Sequence, residues 1–227
     1  MIALVYDVHG NLPALEAVLA DAEAAGAQQY VLGGDFALFG AWPQETVDRL
    51  RRVPGALWIR GNGERWTAFP AAAPEDPLVQ AAIADCARAL GAETLAELAA
   101  LPKEVGLQGT RFCHGSPISD TRSFSTEADE HDAELLAGMA EGRLVFGHTH
   151  LPFQRHAGEV ELINPGSVGM PFDGIHRASY ALMHDGGLVE HRRLEYDHAA
   201  TADELRRRHP DAAWAETAAG RIERAAL

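Results

Sequence analysis

The first 64 residues alternate between short apolar runs and amphipathic segments, and each apolar run ends in glycine beside a polar side chain. The apolar runs at residues 2–6, 30–32 and 57–60 have the length and composition of buried strands. Between them, residues 12–25 and 45–52 place apolar side chains at helical spacing. This order predicts an α/β sheet whose strands end at one edge, which is where ligands bind in open α/β sheets.

Five polar clusters follow apolar runs along the chain, and each contains a carboxylate, an amide or an imidazole beside glycine. They are Asp7-Val8-His9-Gly10-Asn11, Gly34-Asp35, Gly61-Asn62-Gly63-Glu64, His114-Gly115 and Gly147-His148-Thr149-His150. Alternate side chains of a strand point the same way, so the Asp-x-His and His-x-His spacings each direct two ligands to one side. Carboxylate and imidazole without a thiolate pair favour Mn, Fe, Zn or Ni over a structural zinc site.

These clusters, in this order, resemble the calcineurin-like metallophosphoesterase superfamily over about residues 1–200. Residues 34–40, with Pro43 after them, resemble the Gly-Asp-x-x-x-Tyr-Gly-Pro-x-Pro pattern of small bacterial and archaeal phosphodiesterase-like members. Residues 164–169 and 177–180 match the same subgroup, as does the late Tyr196-Asp197. The resemblance implies a four-layer αββα sandwich, with two mixed β-sheets face to face, helices outside and metals at the top.

The resemblance also implies the ligands of two divalent metal ions, with Mn²⁺ favoured and Fe, Ni or Zn as alternatives. One ion takes Asp7, His9 and His150, the other takes Asn62, His114 and His148, and Asp35 bridges both. The two ions would lie about 3.5–4 Å apart and share a hydroxide that attacks phosphorus in line. On this basis Asp35, His114 and Asn62 are the predicted catalytic residues.

The third cluster departs from the family pattern, because Gly63 stands where many members have the histidine that protonates the leaving oxygen. A general acid contributes about 10²–10⁴ in rate. Its absence favours a diester with an activated leaving group, such as a 2′,3′-cyclic or aryl ester. After Asp35 the chain also lacks the phosphate-gripping arginine of the protein serine/threonine phosphatases, and both departures argue against that activity.

Four further polar side chains are candidates for contacts with the substrate or with the metal ligands. Asn11 is expected either to cap the following helix or to bond a ligand. Arg177 is expected either to reach the phosphate or a carboxylate, or to lie on the surface. Arg60 and Glu64 flank the third cluster and are candidates for an ion pair or hydrogen bond to a ligand, with a surface position as the alternative.

The sequence therefore predicts a dinuclear metal-dependent phosphodiesterase that acts on a small nucleotide or a related diester. A phosphomonoesterase or a dinucleoside-polyphosphate hydrolase is the alternative enzyme, and a metal- or nucleotide-binding sensor is the alternative without catalysis. The formal net charge of −14 disfavours long nucleic acids and anionic membranes as partners, since both need a basic face. A small phosphate ester remains the expected partner.

One domain is predicted for residues 1–227, with a helical insert at about 65–104 and a helical tail at about 200–227 that docks loosely or frays after Pro210. The insert is expected to form either a wall or lid at the site or a surface for a second copy of the chain, so a homo-oligomer stays open. Later strands are predicted at 109–113, 144–146, 159–163, 179–183 and 188–194. The lack of a long apolar run and of a CxxC pair favours a cytoplasmic protein.

Overall fold

The computed structural model describes all 227 residues, which form ten strands and seven helices. The strands are β1 (Ile2–Val5), β2 (Gln29–Leu32), β3 (Ala56–Trp58), β4 (Glu104–Leu107), β5 (Thr110–Cys113), β6 (Arg143–Val145), β7 (Phe153–Ala157), β8 (Val160–Asn164), β9 (Ala178–Met183) and β10 (Val189–Leu194). The helices are α1 (Leu12–Ala24), α2 (Pro43–Leu50), α3 (Asn62–Ala68), α4 (Pro77–Ala99), α5 (Asp132–Leu135), α6 (His198–Arg208) and α7 (Ala213–Arg224). None of the helices has both the length and the apolar composition that a bilayer-spanning segment requires.

Two mixed five-stranded sheets form the centre of the molecule. The first has the order β10-β9-β1-β2-β3, in which β1, β2 and β3 run parallel and β9 is antiparallel to both of its neighbours. The second has the order β4-β5-β6-β8-β7, in which β5, β6 and β8 run parallel between two antiparallel edge strands. The predicted pair of mixed sheets is confirmed.

The side chains of β1 and of the residue after it alternate between two cores. Leu4 and Tyr6 pack between the sheets with Phe112 of β5, whereas Ala3 and Val5 pack under the helices on the outer face of the first sheet. This alternation follows from the two-residue period of a strand. A smaller core under α5 covers the outer face of the second sheet. The predicted four-layer sandwich is confirmed, with a thin outer layer over the second sheet.

Helix α4 occupies most of the segment predicted as an insert. Its Ile83, Cys86 and Leu90 are buried in the same core as α1 and α2. The helix is interrupted at Gly91, whose φ of 71° and ψ of 166° are not helical. The segment therefore packs as part of the layer outside the first sheet, and its end at Ala99 leads directly into the edge strand β4.

The end of the chain is docked, which corrects the expectation that it docks loosely or frays after Pro210. Trp214, Ala218 and Ile222 are buried at helical spacing on α7. Trp214 Nε1 also donates to Asp85 Oδ2 at 3.0 Å, which ties α7 to α4. The edge strands β4 and β7 are absent from the sequence prediction, because their side chains are only half-buried or exposed and leave little apolar signal.

Candidate metal centre

Seven side chains from the five sequence clusters meet at one edge of the two sheets. They are Asp7 and His9 after β1, Asp35 after β2, Asn62 after β3, His114 after β5, and His148 and His150 after β6. All are buried except His148, which is half-buried. The carboxyl ends of parallel strands lie together at one edge, and each of these residues follows such a strand. The structure thus brings together all seven side chains that the sequence proposes as metal ligands.

Asp7, His9 and His150 form one group of donor atoms. His9 Nδ1 lies 2.9 Å from Leu38 O, and His150 Nδ1 lies 2.6 Å from Met170 O. A carbonyl oxygen only accepts hydrogen bonds, so each Nδ1 carries the proton and each neutral ring keeps a lone pair on Nε2. The two Nε2 atoms are 3.1 Å apart, and Asp7 Oδ1 lies 3.5 Å from His150 Nε2. Three electron-pair donors therefore face one another.

Asp7 also belongs to a second group of donors, with Asp35 and His114. His114 Nδ1 lies 2.9 Å from Gly33 O, which again places the proton on Nδ1 and the lone pair on Nε2. Asp35 Oδ1 lies 3.5 Å from that Nε2, and Asp7 Oδ1 lies 3.9 Å from it. Asp35 Oδ2 is 3.7 Å from His9 Nε2, so the two oxygens of this carboxylate face different groups.

Asn62 and His148 lie at the same end of the cleft as His114. Asn62 Oδ1 is 2.9 Å from His114 Nε2, and the same amide position is 2.9 Å from His148 Nδ1. Turned by 180°, the amide donates N–H to both imidazoles instead. The Asn62 amide can therefore take either of two orientations. It can donate N–H to the two imidazoles, or it can place its oxygen beside their ring nitrogens as a third ligand atom for a metal ion.

Glu64 is buried and holds the backbone around Asp35. Its carboxylate accepts hydrogen bonds from the backbone N–H groups of Asp35 at 2.9 Å, Phe36 at 2.8 Å and Gly61 at 2.8 Å. Burial and the nearby Asp35 carboxylate raise the pKa of Glu64 to about 7. Glu64 therefore positions Asp35, a proposed metal ligand, by holding the backbone on both sides of the Asp35–Phe36 peptide. The Glu64 carboxylate makes no hydrogen bond to the side chains of the proposed ligands.

Five of the seven donors have a left-handed backbone, which few residues other than glycine adopt. Their φ angles are 53° for Asp7, 48° for His9, 55° for Asp35, 68° for His148 and 59° for His150. Each such residue costs about 1–3 kcal/mol and persists only where the surrounding structure holds it. Gly147 permits part of this geometry, because a Cβ there would lie 2.5 Å from Asp7 Oδ2. The fold thus maintains local strain at the point where the donors meet.

Burial opposes charge on most of the donors. It raises the pKa of Asp7 to about 8, lowers the pKa of His148 to about 4 and lowers the pKa of His150 well below its usual value. Burial is also the largest single influence on Asp35 and His114. Nearby opposite charges and backbone hydrogen bonds together outweigh it, so the pKa of Asp35 is lowered and that of His114 is raised. An imidazole ring that stays neutral can donate the lone pair of one ring nitrogen to a metal ion.

Asp7 Oδ1 gives the most direct indication of a cation. This oxygen is buried and has no hydrogen-bond partner in the chain. An unpaired buried carboxylate oxygen is costly, whereas a cation beside it would compensate its charge. Carboxylate, amide and imidazole groups are together suited to divalent transition metals. The residues present therefore fit a divalent metal ion.

For Asn11 and Arg177, the structure agrees with the helix cap and the surface position, each of which is one of the two alternatives that the sequence leaves open. Asn11 Oδ1 accepts the N–H of Ala14 at 3.2 Å, and its Nδ2 donates to Gly169 O at 2.8 Å. The amide is therefore occupied as the cap of α1. Arg177 is exposed and donates to Glu195 Oε1 at 2.7 Å, since the loop before β9 carries it to that partner.

The structure also adds a feature that the clusters do not predict. A polar cavity of about 310 Å³ lies beside His114, and its walls include Arg60, Arg65 and Lys103. Arg60 lies in the loop between β3 and α3, Arg65 lies on α3, and Lys103 lies in the loop before β4. No local sequence pattern links the three, and only Arg60 is a candidate from the sequence, through its position beside the third cluster.

A comparison with known families gives the class of a metal-dependent phosphoric ester hydrolase, which the fold and the donor set fit. A sequence profile described as the calcineurin-like phosphoesterase superfamily domain matches residues 1–185. The chain therefore belongs to the calcineurin-like phosphoesterase superfamily. The predicted family and the predicted class of enzyme are confirmed.

Three similar proteins extend this comparison. The crystal structure of a metallophosphoesterase from Sphaerobacter thermophilus has a TM-score of 0.84 and 28% identity, and the match covers 99% of this chain and 98% of that chain. An uncharacterised protein of Methanocaldococcus jannaschii is 32% identical over 219 residues, which cover 87% of this chain and 88% of its own length. Phosphodiesterase YfcE of Escherichia coli is 27% identical over 192 residues, which cover 78% of this chain and 83% of its own length.

Proposed function

We propose that this chain is a phosphodiesterase that holds two divalent metal ions and hydrolyses a small nucleotide or a related diester. The observation that carries the proposal is the pair of donor groups that Asp7 and Asp35 join. The first group, Asp7, His9 and His150, would hold one ion, and Asn62, His114 and His148 would hold the other, with Asp35 between them. Mn²⁺ is the favoured metal, with Fe, Ni and Zn as alternatives.

The protein itself fixes the positions of the proposed ligand atoms and the tautomers of three histidines. Divalent ions, when bound, supply positive charge to phosphoryl oxygens and lower the pKa of water. The carbonyl oxygens of Gly33, Leu38 and Met170 each hold a histidine Nδ1 proton, which keeps the three Nε2 atoms as donors. The Glu64 carboxylate fixes the loop that carries Asp35 through three backbone hydrogen bonds.

Gly63 supports a substrate with an activated leaving group. It offers no titratable side chain, and its N–H donates to Asp35 Oδ1 at 2.7 Å. A Cβ at this position would lie 2.9 Å from the same oxygen, so the local packing is suited to glycine. Without a general acid here, aryl or 2′,3′-cyclic diesters react more readily than alkyl esters such as phosphoserine. The identity shared with a phosphodiesterase supports a diester.

Two chromogenic substrates with the same leaving group test this proposal. We expect Mn²⁺-loaded protein to hydrolyse bis(p-nitrophenyl) phosphate with a kcat/KM at least about tenfold above that for p-nitrophenyl phosphate. A preference for the monoester would assign a phosphomonoesterase. Fully metallated protein that turned over neither ester, nor a dinucleoside polyphosphate, would indicate a sensor. Metal analysis should find two equivalents per chain, and one equivalent would overturn the dinuclear site.

A further inference from the structure

The cavity beside His114 has the chemistry of an anion site. Its walls carry three basic side chains and three hydroxyl groups, from Arg60, Arg65, Lys103, Ser116, Ser119 and Thr121. His114 is among the residues that line the cavity, although its side chain is buried, so the cavity lies next to the donor group at that end of the cleft. An anion in the cavity would therefore lie close to a molecule bound at the donors.

Two of the three basic side chains have no acidic partner. Arg65 donates to both carboxylate oxygens of Asp120 at 2.6 Å, which joins α3 to the loop after β5. Arg60 and Lys103, in contrast, form no ion pair within 4.0 Å. Lys103 is the only lysine of the chain, and it is exposed.

Arg60 is held in place while part of its guanidinium group lacks an acceptor. Its Nη1 donates to Ala99 O at 3.0 Å, which anchors the side chain. Its Nε is buried without a hydrogen-bond partner, so this atom does not open onto the cavity. Its Nη2 also forms no hydrogen bond and is not buried, so Nη2 is free to donate to an anion in the cavity. Arginine is well suited to this role, since its planar group donates several hydrogen bonds to phosphate.

The charge of the cavity contrasts with that of the whole protein. Its lining includes three basic residues against two acidic ones, Glu104 and Asp120, in a chain with a formal net charge of −14. Ile118 is a large apolar side chain there, and the other walls are mainly polar. The surface therefore suits a phosphate group and does not suit a nucleobase or an aryl ring.

We propose that this cavity binds a second phosphate group of the substrate, one that is not hydrolysed. The inference rests on the proposed function, because it places the scissile phosphate at the neighbouring donors. The substrate class narrows accordingly to a small nucleotide diester that carries a terminal phosphate. Arg60 and Lys103 are the residues that would favour this substrate over a diester without a terminal phosphate.

Two nucleotide esters with the same scissile bond test the inference. They are thymidine 5′-(p-nitrophenyl phosphate) and the same compound with a 3′-phosphate. We expect the KM of wild-type, Mn²⁺-loaded protein to be about tenfold lower for the compound with the 3′-phosphate. Lys103→Met should reduce this ratio of KM values about threefold and Arg60→Gln about tenfold, with the exposed Lys103 giving the smaller effect.

Arg52→Gln is the matched control, since Arg52 is exposed, forms no ion pair and does not line this cavity. It should leave the KM ratio unchanged. If Arg60→Gln unfolds because its contact with Ala99 is lost, Lys103→Met at an exposed position still decides the question. Equal KM values for the two esters in the wild type, or a ratio that Lys103→Met leaves unchanged, would overturn the inference.

Calorimetry separates failure of this inference from failure of the proposed function. If the protein hydrolyses neither ester, the phosphodiesterase proposal fails, and binding alone then tests the cavity. Metal-loaded protein should bind thymidine 3′,5′-bisphosphate about tenfold more tightly than thymidine 5′-monophosphate, and Lys103→Met should weaken that preference. Equal affinities for the two nucleotides would contradict a second phosphate site.

Discussion

The two ends of the cleft have similar donor atoms but different surroundings. At one end, the Phe172 ring stacks on His150 with centroids 4.4 Å apart, and Phe39 lies 6.1 Å from His9. At the other end, His114 borders the polar cavity with Arg60 and Lys103. An apolar wall restricts water around metal ligands, whereas a basic opening attracts anions. Under the proposed function, one end would mainly secure a metal ion, and the other end would also receive the substrate.

The largest expected effect comes from Asp35→Asn, because the two carboxylate oxygens of Asp35 face the two ends of the cleft. Loss of this charge should lower kcat by at least about 10³-fold and reduce the metal content. Hydrolysis of bis(p-nitrophenyl) phosphate and elemental analysis measure the two effects. Asp203→Asn, at an exposed position on α6, is the control. Retention of both metal and activity in Asp35→Asn would show that the two ends do not depend on this residue.

An intermediate effect is expected from Gly63→Ala at the His114 end. The new Cβ would lie 2.9 Å from Asp35 Oδ1, so the carboxylate must move. We expect kcat to fall by about tenfold or more, since small misplacements of reacting groups lower rates substantially. Gly142→Ala is the control, because a Cβ there has no neighbouring atoms within 4 Å. A Gly63→His variant that hydrolysed alkyl esters faster than the wild type would contradict this packing argument.

The smallest effect is expected from Phe172→Leu at the His150 end. Loss of the stacked ring should loosen His150 and weaken the apparent affinity for Mn²⁺ by about tenfold or less. The ratio of KM values for the two thymidine esters should stay the same, because the cavity is at the other end. A metal titration of activity measures the affinity, with the exposed Phe69→Leu as control. A changed KM ratio would mean that the two ends are coupled.

The donors could be predicted from sequence because the polar clusters come shortly after strands, whose ends meet at one edge, and because those clusters resemble the motifs of a known family. Asp7, His9 and Asp35 illustrate this, since their positions depend on β1 and β2 alone. The partners of Asn11 and Arg177 could not be predicted in the same way. Gly169 and Glu195 reach them only through the tertiary fold. The cavity could not be predicted for the same reason, because its basic residues lie in three separate segments of the sequence.

Comparison of β1 with β7 shows which strands can be recognised from the sequence. The central strand β1 is buried throughout, so its apolar run is evident in the sequence. The edge strand β7 pairs with one neighbour only, and no side chain on it is fully buried. Its residues therefore resemble those of a loop. Burial on both faces, and not strand length, makes β1 easier to recognise than β7.

The single lysine has a practical consequence for biophysical work on this protein. Amine-reactive dyes modify lysine side chains and the amino terminus, and Lys103 is the single lysine. A dye on Lys103 would report from the rim of the cavity, and labelled Lys103→Met, which keeps only the terminal amine, would give the background signal. Fluorescence at that one position would register the arrival of a ligand without any need to engineer a labelling site.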